Sequence, residues 1–295
     1  MRLCCACDTP LSGLTWECEA CGWRAPVNDG VSCLLDQAPP EAFTSENVQN
    51  LAGADPTHFW FAGRNRLIGT MLARHAPEAR TFLEAGCGTG TVLSGISALL
   101  PGLTLTGAEV SMSSLRAAAR AAPAAELVYA DIRRLPYDRE FDAVGAFDVL
   151  EHIPDDRDAL AVLVRSVKAG GLVLLTVPQH RWLWSPLDDY SGHQRRYARS
   201  ELTALARGCG LDVIRVTSFV SLLVPAMLLS RWLQRGAEVV PQREFTIGSG
   251  ANQIATGLMS AERALIGAGL SLPVGGSLML VARRSDDRPS GAGVS

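Results

Sequence analysis

The sequence has little net charge and a single lysine, Lys168, among its 27 basic residues. With 30 acidic residues the formal charge is -3, which gives no support to a protein that binds nucleic acid through overall basicity. The longest apolar run, residues 216–230, is too short to cross a bilayer and contains Pro225. No apolar leader with a small-residue cleavage site follows Met1. We therefore expect a cytoplasmic protein without a transmembrane segment.

Cysteine spacing gives a first positive signal, because four of the eight cysteines form two Cys-x-x-Cys pairs with ten residues between them. Four thiolates on two tight turns can surround one zinc ion tetrahedrally, and a segment this short needs such a metal in order to fold. We predict a structural zinc ribbon over residues 1–36, with a redox pair or incidental cysteines as the alternative. Cys5 could replace Cys4 as a ligand, but only Cys4 has the Cys-x-x-Cys spacing to Cys7. The predicted ligands are Cys4, Cys7, Cys18 and Cys21.

The rest of the chain divides by composition and periodicity. Residues 37–57 are polar and contain proline, which predicts a linker. From residue 58 to 284, short apolar strands alternate with helical segments, which predicts an α/β domain with a parallel sheet covered on both faces. An apolar stretch at 218–275 interrupts this alternation and is predicted to be a helical insertion between the last two strands. Residues 285–295 are predicted to be a disordered tail.

A glycine-rich loop follows the first strand of that domain, in the run from Phe82 to Gly90. A nicotinamide-binding loop of the form G-x-G-x-x-G would have a glycine where Thr91 stands. An acidic residue, Glu84, opens the motif, and its charge would repel a pyrophosphate. The loop therefore favours a ligand that carries positive charge, such as an ammonium and a sulfonium.

Acidic residues stand at the end of the next strand or just after those that follow it: Glu109, then Asp131, then Asp148. In this order and spacing, the segment from Trp60 to Arg283 resembles the class I S-adenosylmethionine-dependent methyltransferases. The resemblance implies a Rossmann-like, seven-stranded, mostly parallel sheet and S-adenosylmethionine as cofactor. An arginine ahead of the glycine loop, Arg64 or Arg66, would contact the methionine carboxylate. The implied cofactor-binding residues are Arg64, Glu84, Gly86, Cys87, Gly88, Gly90, Glu109, Val110, Asp131, Ile132, Phe147 and Asp148.

The segment from Asp148 to Ile153 is similar to the branch that includes the ubiquinone-biosynthesis O-methyltransferases. An oxygen or nitrogen acceptor must lose a proton, and histidine suits that role near neutral pH. His152 and His193 are the candidate catalytic bases, although each can instead order its loop. A further alternative, allowed by the resemblance, is that Asp148, Glu151 and His152 hold a divalent cation such as Mg²⁺.

Three functions are consistent with these motifs. The first is methylation of a small molecule, such as a natural product, a glycan or a lipid-like intermediate, at oxygen or nitrogen. The second is methylation of ribosomal or transfer RNA held by the zinc ribbon, which the negative net charge disfavours. The third is a non-catalytic scaffold. The apolar insertion is a candidate substrate lid, homodimer face or membrane contact, and the oligomeric state is left open.

Overall fold

The computed structural model describes residues 1–35, 58–233 and 247–285, except for the side chains of residues 230–233. The predicted linker at 37–57 and nearly all of the predicted tail lie outside these ranges. The strands are β1 (Val27–Asn28), β2 (Val31–Cys33), β3 (Thr81–Ala85), β4 (Thr104–Glu109), β5 (Glu126–Tyr129), β6 (Phe141–Phe147), β7 (Val167–Pro178), β8 (Leu211–Phe219) and β9 (Ser277–Arg284).

Helices connect these strands and cover both faces of the sheet. They are α1 (Phe59–His75), α2 (Thr91–Leu99), α3 (Met112–Ala121), α4 (Asp156–Ser166), α5 (Pro186–Tyr190), α6 (Arg199–Gly208), α7 (Val224–Leu233) and α8 (Ser249–Gly267). Central strands are apolar on both sides, as the parallel-sheet prediction requires. In β3, for example, Phe82 belongs to the hydrophobic cluster on one face and Leu83 to the cluster on the other.

The strand order is β1-β2-β5-β4-β3-β6-β7-β9-β8. From β2 to β7 all neighbouring strands are parallel, whereas β9 is antiparallel to both β7 and β8. The chain runs outward in one direction from β3 through β4 to β5, and in the other from β6 to β7. Such a reversal opens a crevice beyond the carboxyl ends of the strands, which is where ligands bind in open α/β sheets.

The predicted number of seven strands is wrong, because the described part of the chain forms a nine-stranded sheet. The two additional strands come from residues 1–35, which we call the N-terminal module. β1 and β2 form a short antiparallel hairpin, and β2 continues the sheet by pairing in parallel with β5. The predicted α/β architecture, with helices on both faces, is confirmed.

Two helices, α7 and α8, lie between β8 and β9. α8 packs closely on α1: a Cβ at Gly63 would come within 2.7 Å of Met259 Cε. Glu262 on α8 accepts hydrogen bonds from the backbone N–H groups of Ser221 and Leu222, which ties the start of the insertion to the same helix. Within the described ranges, none of the helices combines the length and the apolar character needed to cross a membrane.

Candidate functional site

Three glycines shape the loop between β3 and α2, each with a positive φ of 51–78°. A Cβ at Gly86 would lie 2.5 Å from Val149 Cγ2, and a Cβ at Gly90 would lie 2.8 Å from Ala118 Cα. Packing alone therefore demands glycine at these two positions. A Cβ at Gly88, in contrast, would meet nothing within 4 Å. Gly88 thus presents bare backbone to open space at the crevice, as a close-approaching ligand requires.

Glu109 ends β4 directly beside this loop. Its carboxylate accepts hydrogen bonds from the N–H groups of Gly88 (2.9 Å), Val110 (2.8 Å) and Ser111 (3.1 Å). Burial raises the pKa of Glu109, although these three N–H groups act in the opposite direction. The predicted pair Glu109 and Val110 is therefore joined to the glycine loop by direct contacts.

Glu84 and Cys87 lie buried beneath the loop. Burial raises the pKa of Glu84 to about 8, and Oε2 of this residue has no hydrogen-bond partner among the described residues. An unpartnered buried oxygen suits a positively charged ligand group beside Glu84, because that charge would lower the raised pKa and favour the ionised carboxylate. Burial also raises the pKa of the Cys87 thiol well above its usual range, which favours the uncharged thiol at this predicted cofactor-binding position.

Asp131 follows β5 and is held by its neighbour Arg133. Its carboxylate caps the N–H of Arg133 at 2.9 Å and forms an ion pair with the same guanidinium at 2.7 Å. The following residue, Ile132, is buried and would offer an apolar surface to a planar base. Asp131 and Ile132, both predicted to bind the cofactor, thus lie at the carboxyl edge of the sheet, two strands from β3.

Arg64 and Asp148 meet across the crevice. Arg64 projects from α1, lies 4.5 Å from the Trp60 ring, and pairs with Asp148 at 2.5 Å. Asp148 follows Phe147 at the end of β6 and has a φ of +57°, a backbone state that is uncommon outside glycine. Arg66 is exposed, so of the two predicted arginines only Arg64 faces the site.

The two candidate catalytic histidines come together although 41 positions separate them in the sequence. The rings of His152 and His193 are 4.8 Å apart between centroids and meet edge to face. Burial, followed by the charge of His193, lowers the pKa of His152 to about 4, so this imidazole is neutral at neutral pH. Beside it, Glu151 is fully buried, and burial followed by the charge of Asp148 raises its pKa well above the usual range.

A buried carboxylate that sequence reasoning missed, Asp188, fixes the orientation of His193. Its Oδ1 lies 2.8 Å from His193 Nδ1 and 2.7 Å from Arg196 Nε, and its Oδ2 accepts from the Ser185 N–H at 2.7 Å. Burial alone would raise the pKa of Asp188, but the hydrogen bonds from His193 and Arg196 hold it well below its usual value. The only sequence signal was the density of charged residues around it.

A separate cluster lies in the N-terminal module, where the four predicted cysteine ligands converge. The Sγ atoms of Cys4 and Cys21 are 3.7 Å apart, as are those of Cys7 and Cys18, and all four lie within 4.8 Å of one another. A tetrahedron of thiolates at 2.3 Å from zinc has edges of about 3.8 Å. The four thiolates and their spacing therefore fit a tetrahedral zinc site with four cysteine ligands.

Comparison with known proteins agrees with this geometry. A family model described as "Methyltransferase domain" matches residues 83–173. A probable S-adenosylmethionine-dependent methyltransferase from Mycolicibacterium smegmatis is 28% identical over 60% of this chain and 69% of its own length. A ubiquinone biosynthesis O-methyltransferase from Thiobacillus denitrificans is 28% identical over 48% of this chain and 69% of its own length.

Among solved structures, the plantazolicin methyltransferase BpumL in complex with S-adenosylhomocysteine has a TM-score of 0.54 and 13% identity, covering 82% of this chain and 91% of that one. At this identity the similarity concerns the fold. The similar fold agrees with the order of the parallel strands and the crevice between β3 and β6. The chain therefore has the fold of the class I S-adenosylmethionine-dependent methyltransferases, and with the matched segment and the named relatives it is an S-adenosylmethionine-dependent methyltransferase.

Proposed function

We propose that the protein methylates an oxygen or nitrogen atom of a small-molecule acceptor, with His193 as the base that removes the acceptor proton. The observation that carries this proposal is the Asp188–His193 pair, a buried carboxylate that holds one nitrogen of an imidazole. It follows β7, at the same edge of the sheet as the glycine loop that follows β3. Donor and acceptor would meet at this edge.

S-adenosylmethionine supplies a methyl group that is already activated on a positively charged sulfur. Gly88 would receive the ligand against its backbone, and Glu109 would accept hydrogen bonds from the ribose. Asp131 and Ile132 would hold the adenine, while Arg64 would pair with the methionine carboxylate. Arg64 is already paired with Asp148, so the methionine carboxylate of the cofactor must compete with this ion pair for Arg64. Holding both reactants in line accounts for a large part of the rate of such a displacement.

Asp188 determines which nitrogen of His193 carries the proton. Because Asp188 is ionised, it accepts a hydrogen bond from His193 Nδ1–H. The lone pair of neutral His193 is then on Nε2, which would take the proton of the acceptor hydroxyl or amine while the methyl group passes to that atom, its bond to sulfur breaks and the neutral thioether leaves. A carboxylate behind the ring also stabilises the imidazolium that results.

His152 is the weaker candidate for this role. Its lowered pKa makes it a poor proton acceptor, and its ring interacts with the backbone at Ser191 and Gly192. It would order the loop that presents His193. A metal is the competing arrangement, because ligand atoms of Glu151, His152 and His193 lie within 4.8 Å of one another. Mg²⁺ prefers oxygen ligands and would fit two imidazoles poorly.

RNA methylation is the second candidate that the sequence raised, and the N-terminal module offers little support for it. Its only basic side chains are Arg2 and Arg24. Arg2 is buried and paired with Glu126, and Arg24 lies 3.4 Å from Glu17. Gripping an RNA backbone requires exposed, unpaired positive charge. The ubiquinone-type branch remains one specific form of the small-molecule proposal.

We expect that incubation with methyl-labelled S-adenosylmethionine and a bacterial cell extract will place the label in the low-molecular-mass fraction. The module has too little free positive charge to hold RNA, so the RNA fraction should stay unlabelled. Separating the fractions and counting the label checks this, with Gly88→Asp as the inactive control. Label confined to RNA would contradict the proposal, and donor binding without any label transfer would favour a scaffold.

We also propose that Cys4, Cys7, Cys18 and Cys21 bind one structural zinc ion. The support is the pair of 3.7 Å Sγ–Sγ distances and the burial of Cys4 and Cys18 in a module that has little core of its own. Metal binding would then supply much of the folding free energy of residues 1–35.

Freshly purified, reduced protein is expected to contain one zinc per chain by elemental analysis. The double variant Cys4→Ser/Cys21→Ser should lose it, because two of four thiolates are gone. Cys5→Ser is the matched control: it removes an adjacent exposed thiol and should keep the metal. Absence of zinc from the unaltered protein, or zinc that survives the double substitution, would refute this assignment.

A further inference from the structure

The N-terminal module contacts the rest of the chain on both sides of the loop at residues 130–135, which holds the proposed adenine-binding residues Asp131 and Ile132. On the upstream side, β2 pairs with β5, in the register Ser32 with Val128 and Cys33 with Tyr129. The Leu34 N–H extends this contact by donating to the Tyr129 carbonyl at 2.9 Å. Asp131 lies two residues after Tyr129 in the sequence. The strand that delivers Asp131 to the site is therefore held by the module.

On the downstream side, the first residues of the module pair with the chain that leaves the same loop. The Leu3 N–H donates to the Pro136 carbonyl at 2.8 Å, and Arg2 forms an antiparallel bridge with Tyr137. Both ends of the loop are thus attached to one small unit. Movement of that unit would move the loop at its two ends.

Buried side chains reinforce this attachment. The Arg2 guanidinium forms two hydrogen bonds with the Glu126 carboxylate, at 2.8 and 2.6 Å, and lies 4.9 Å from the Trp16 ring. Trp16 Nε1 also donates to Glu126, at 3.3 Å. The Trp16 ring packs edge-on against the fully buried Tyr137, with centroids 5.5 Å apart. Bidentate arginine–carboxylate pairs fix geometry as well as charge.

These anchors are adjacent to the cysteine cluster in the sequence. Arg2 stands two residues before Cys4, and Trp16 stands two residues before Cys18. The 3.7 Å contacts between cysteines link the two turns to each other. A metal at their centre would therefore fix Arg2 and Trp16 relative to one another, and through them Glu126 and Tyr137.

From these contacts we propose that zinc binding in the N-terminal module and S-adenosylmethionine binding at Asp131 and Ile132 are energetically coupled, each tightening the other. This inference rests on the proposed zinc site and the proposed cofactor-binding residues. The module is then a part of the cofactor site that acts through the loop, and Arg2 and Trp16 are positioning residues. Coupling of this kind is reciprocal, and couplings of 5–150-fold are typical.

The test is calorimetric titration of S-adenosylhomocysteine into the full-length protein, with zinc-loaded protein compared with protein stripped by a chelator. We expect Kd to rise about tenfold on removal of zinc. Cys5→Ser should bind as the unaltered protein does. In the reverse experiment, saturating S-adenosylhomocysteine should slow the loss of zinc to the chelator, a readout that does not depend on catalysis.

A second variant distinguishes the proposed coupling from simple unfolding of the protein that has lost its zinc. Arg2→Ala keeps all four cysteines and should retain zinc, yet it should weaken S-adenosylhomocysteine binding in the same direction because the anchor is lost. Arg24→Ala, which alters an exposed arginine of the same module, should change neither property.

The outcomes separate the assumptions. No ligand binding by zinc-loaded protein would refute the cofactor assignment, and no zinc in the purified protein would refute the metal site. Either result would also overturn the coupling. Equal affinity with and without zinc, in protein that remains folded by circular dichroism, would overturn the coupling while leaving both sites in place.

Discussion

Replacement of Gly88 by aspartate is expected to weaken S-adenosylmethionine binding at least a hundredfold, a loss of about 2.7 kcal/mol. A side chain at Gly88 would enter the open space above the loop, where the ligand is predicted to meet bare backbone. Its charge would also lie near the carboxylate of Glu109, which accepts the Gly88 N–H. Calorimetric titration of S-adenosylhomocysteine measures the effect.

The fold should survive this substitution, since no atom lies within 4 Å of the added Cβ and aspartate tolerates a positive φ better than most residues. Gly102→Asp is the matched control, because Gly102 also has open space around it but lies in the turn before β4, away from the crevice. If the Gly88→Asp variant binds S-adenosylhomocysteine as tightly as the Gly102→Asp control and the unaltered protein do, the ligand does not approach the loop at Gly88. A large drop in thermal stability of Gly88→Asp would show that the loop needs this glycine for folding.

Replacement of His193 by alanine is expected to lower kcat by a hundredfold or more, the scale of losing a general base, with little change in the Kd of S-adenosylhomocysteine. The ring contacts Asp188 and His152, neither of which is a predicted cofactor-binding residue. Asp188→Asn should also lower kcat, because the amide accepts more weakly and stabilises the imidazolium less. Steady-state kinetics with the identified acceptor, alongside calorimetry for the donor, separates these effects.

His152→Ala provides the comparison. If His193 is the base and His152 orders the loop, the His152 variant should lose acceptor affinity and stability more than it loses kcat. A His193→Ala enzyme with normal kcat would refute the assignment. If Glu151, His152 and His193 hold a catalytic cation, a chelator should lower kcat in the unaltered enzyme as His193→Ala does, and added Mg²⁺ without zinc should restore it. Loss of the zinc of the N-terminal module would instead be reversed by zinc and would appear in the Kd of S-adenosylhomocysteine.

Local sequence patterns predicted the parts of the fold and site whose geometry is local. The shape of the glycine loop depends on the backbone conformations of five consecutive residues. Gly86 and Gly90 show the close packing that such a motif implies. Glu109 ends a strand, Asp131 and Asp148 each follow one, and parallel strands bring their carboxyl ends to one edge. These features could be derived from spacing because one structural rule places all of them.

The remaining features depend on pairings distant in sequence. The two extra strands have only two and three residues, too few for periodicity to reveal, and β2 finds its partner β5 almost 100 residues later. The role of Asp188 depends on three hydrogen-bonding neighbours, His193, Arg196 and Ser185, that come together only in the folded loop. Sequence spacing carries no information about which of several nearby carboxylates will be the buried one.

The pairing of β2 with β5 also has a consequence for how the chain is made. At 5–20 residues per second, a ribosome that has released β2 needs about 5–20 s to deliver β5. Throughout that interval the module has no strand to pair with, and Trp16 and Arg2 lack the Tyr137 and Glu126 side chains against which they become buried. During this interval, a nascent module that is ordered by metal would expose less unpaired backbone and less aromatic surface than a module without metal. It would therefore associate less with neighbouring chains.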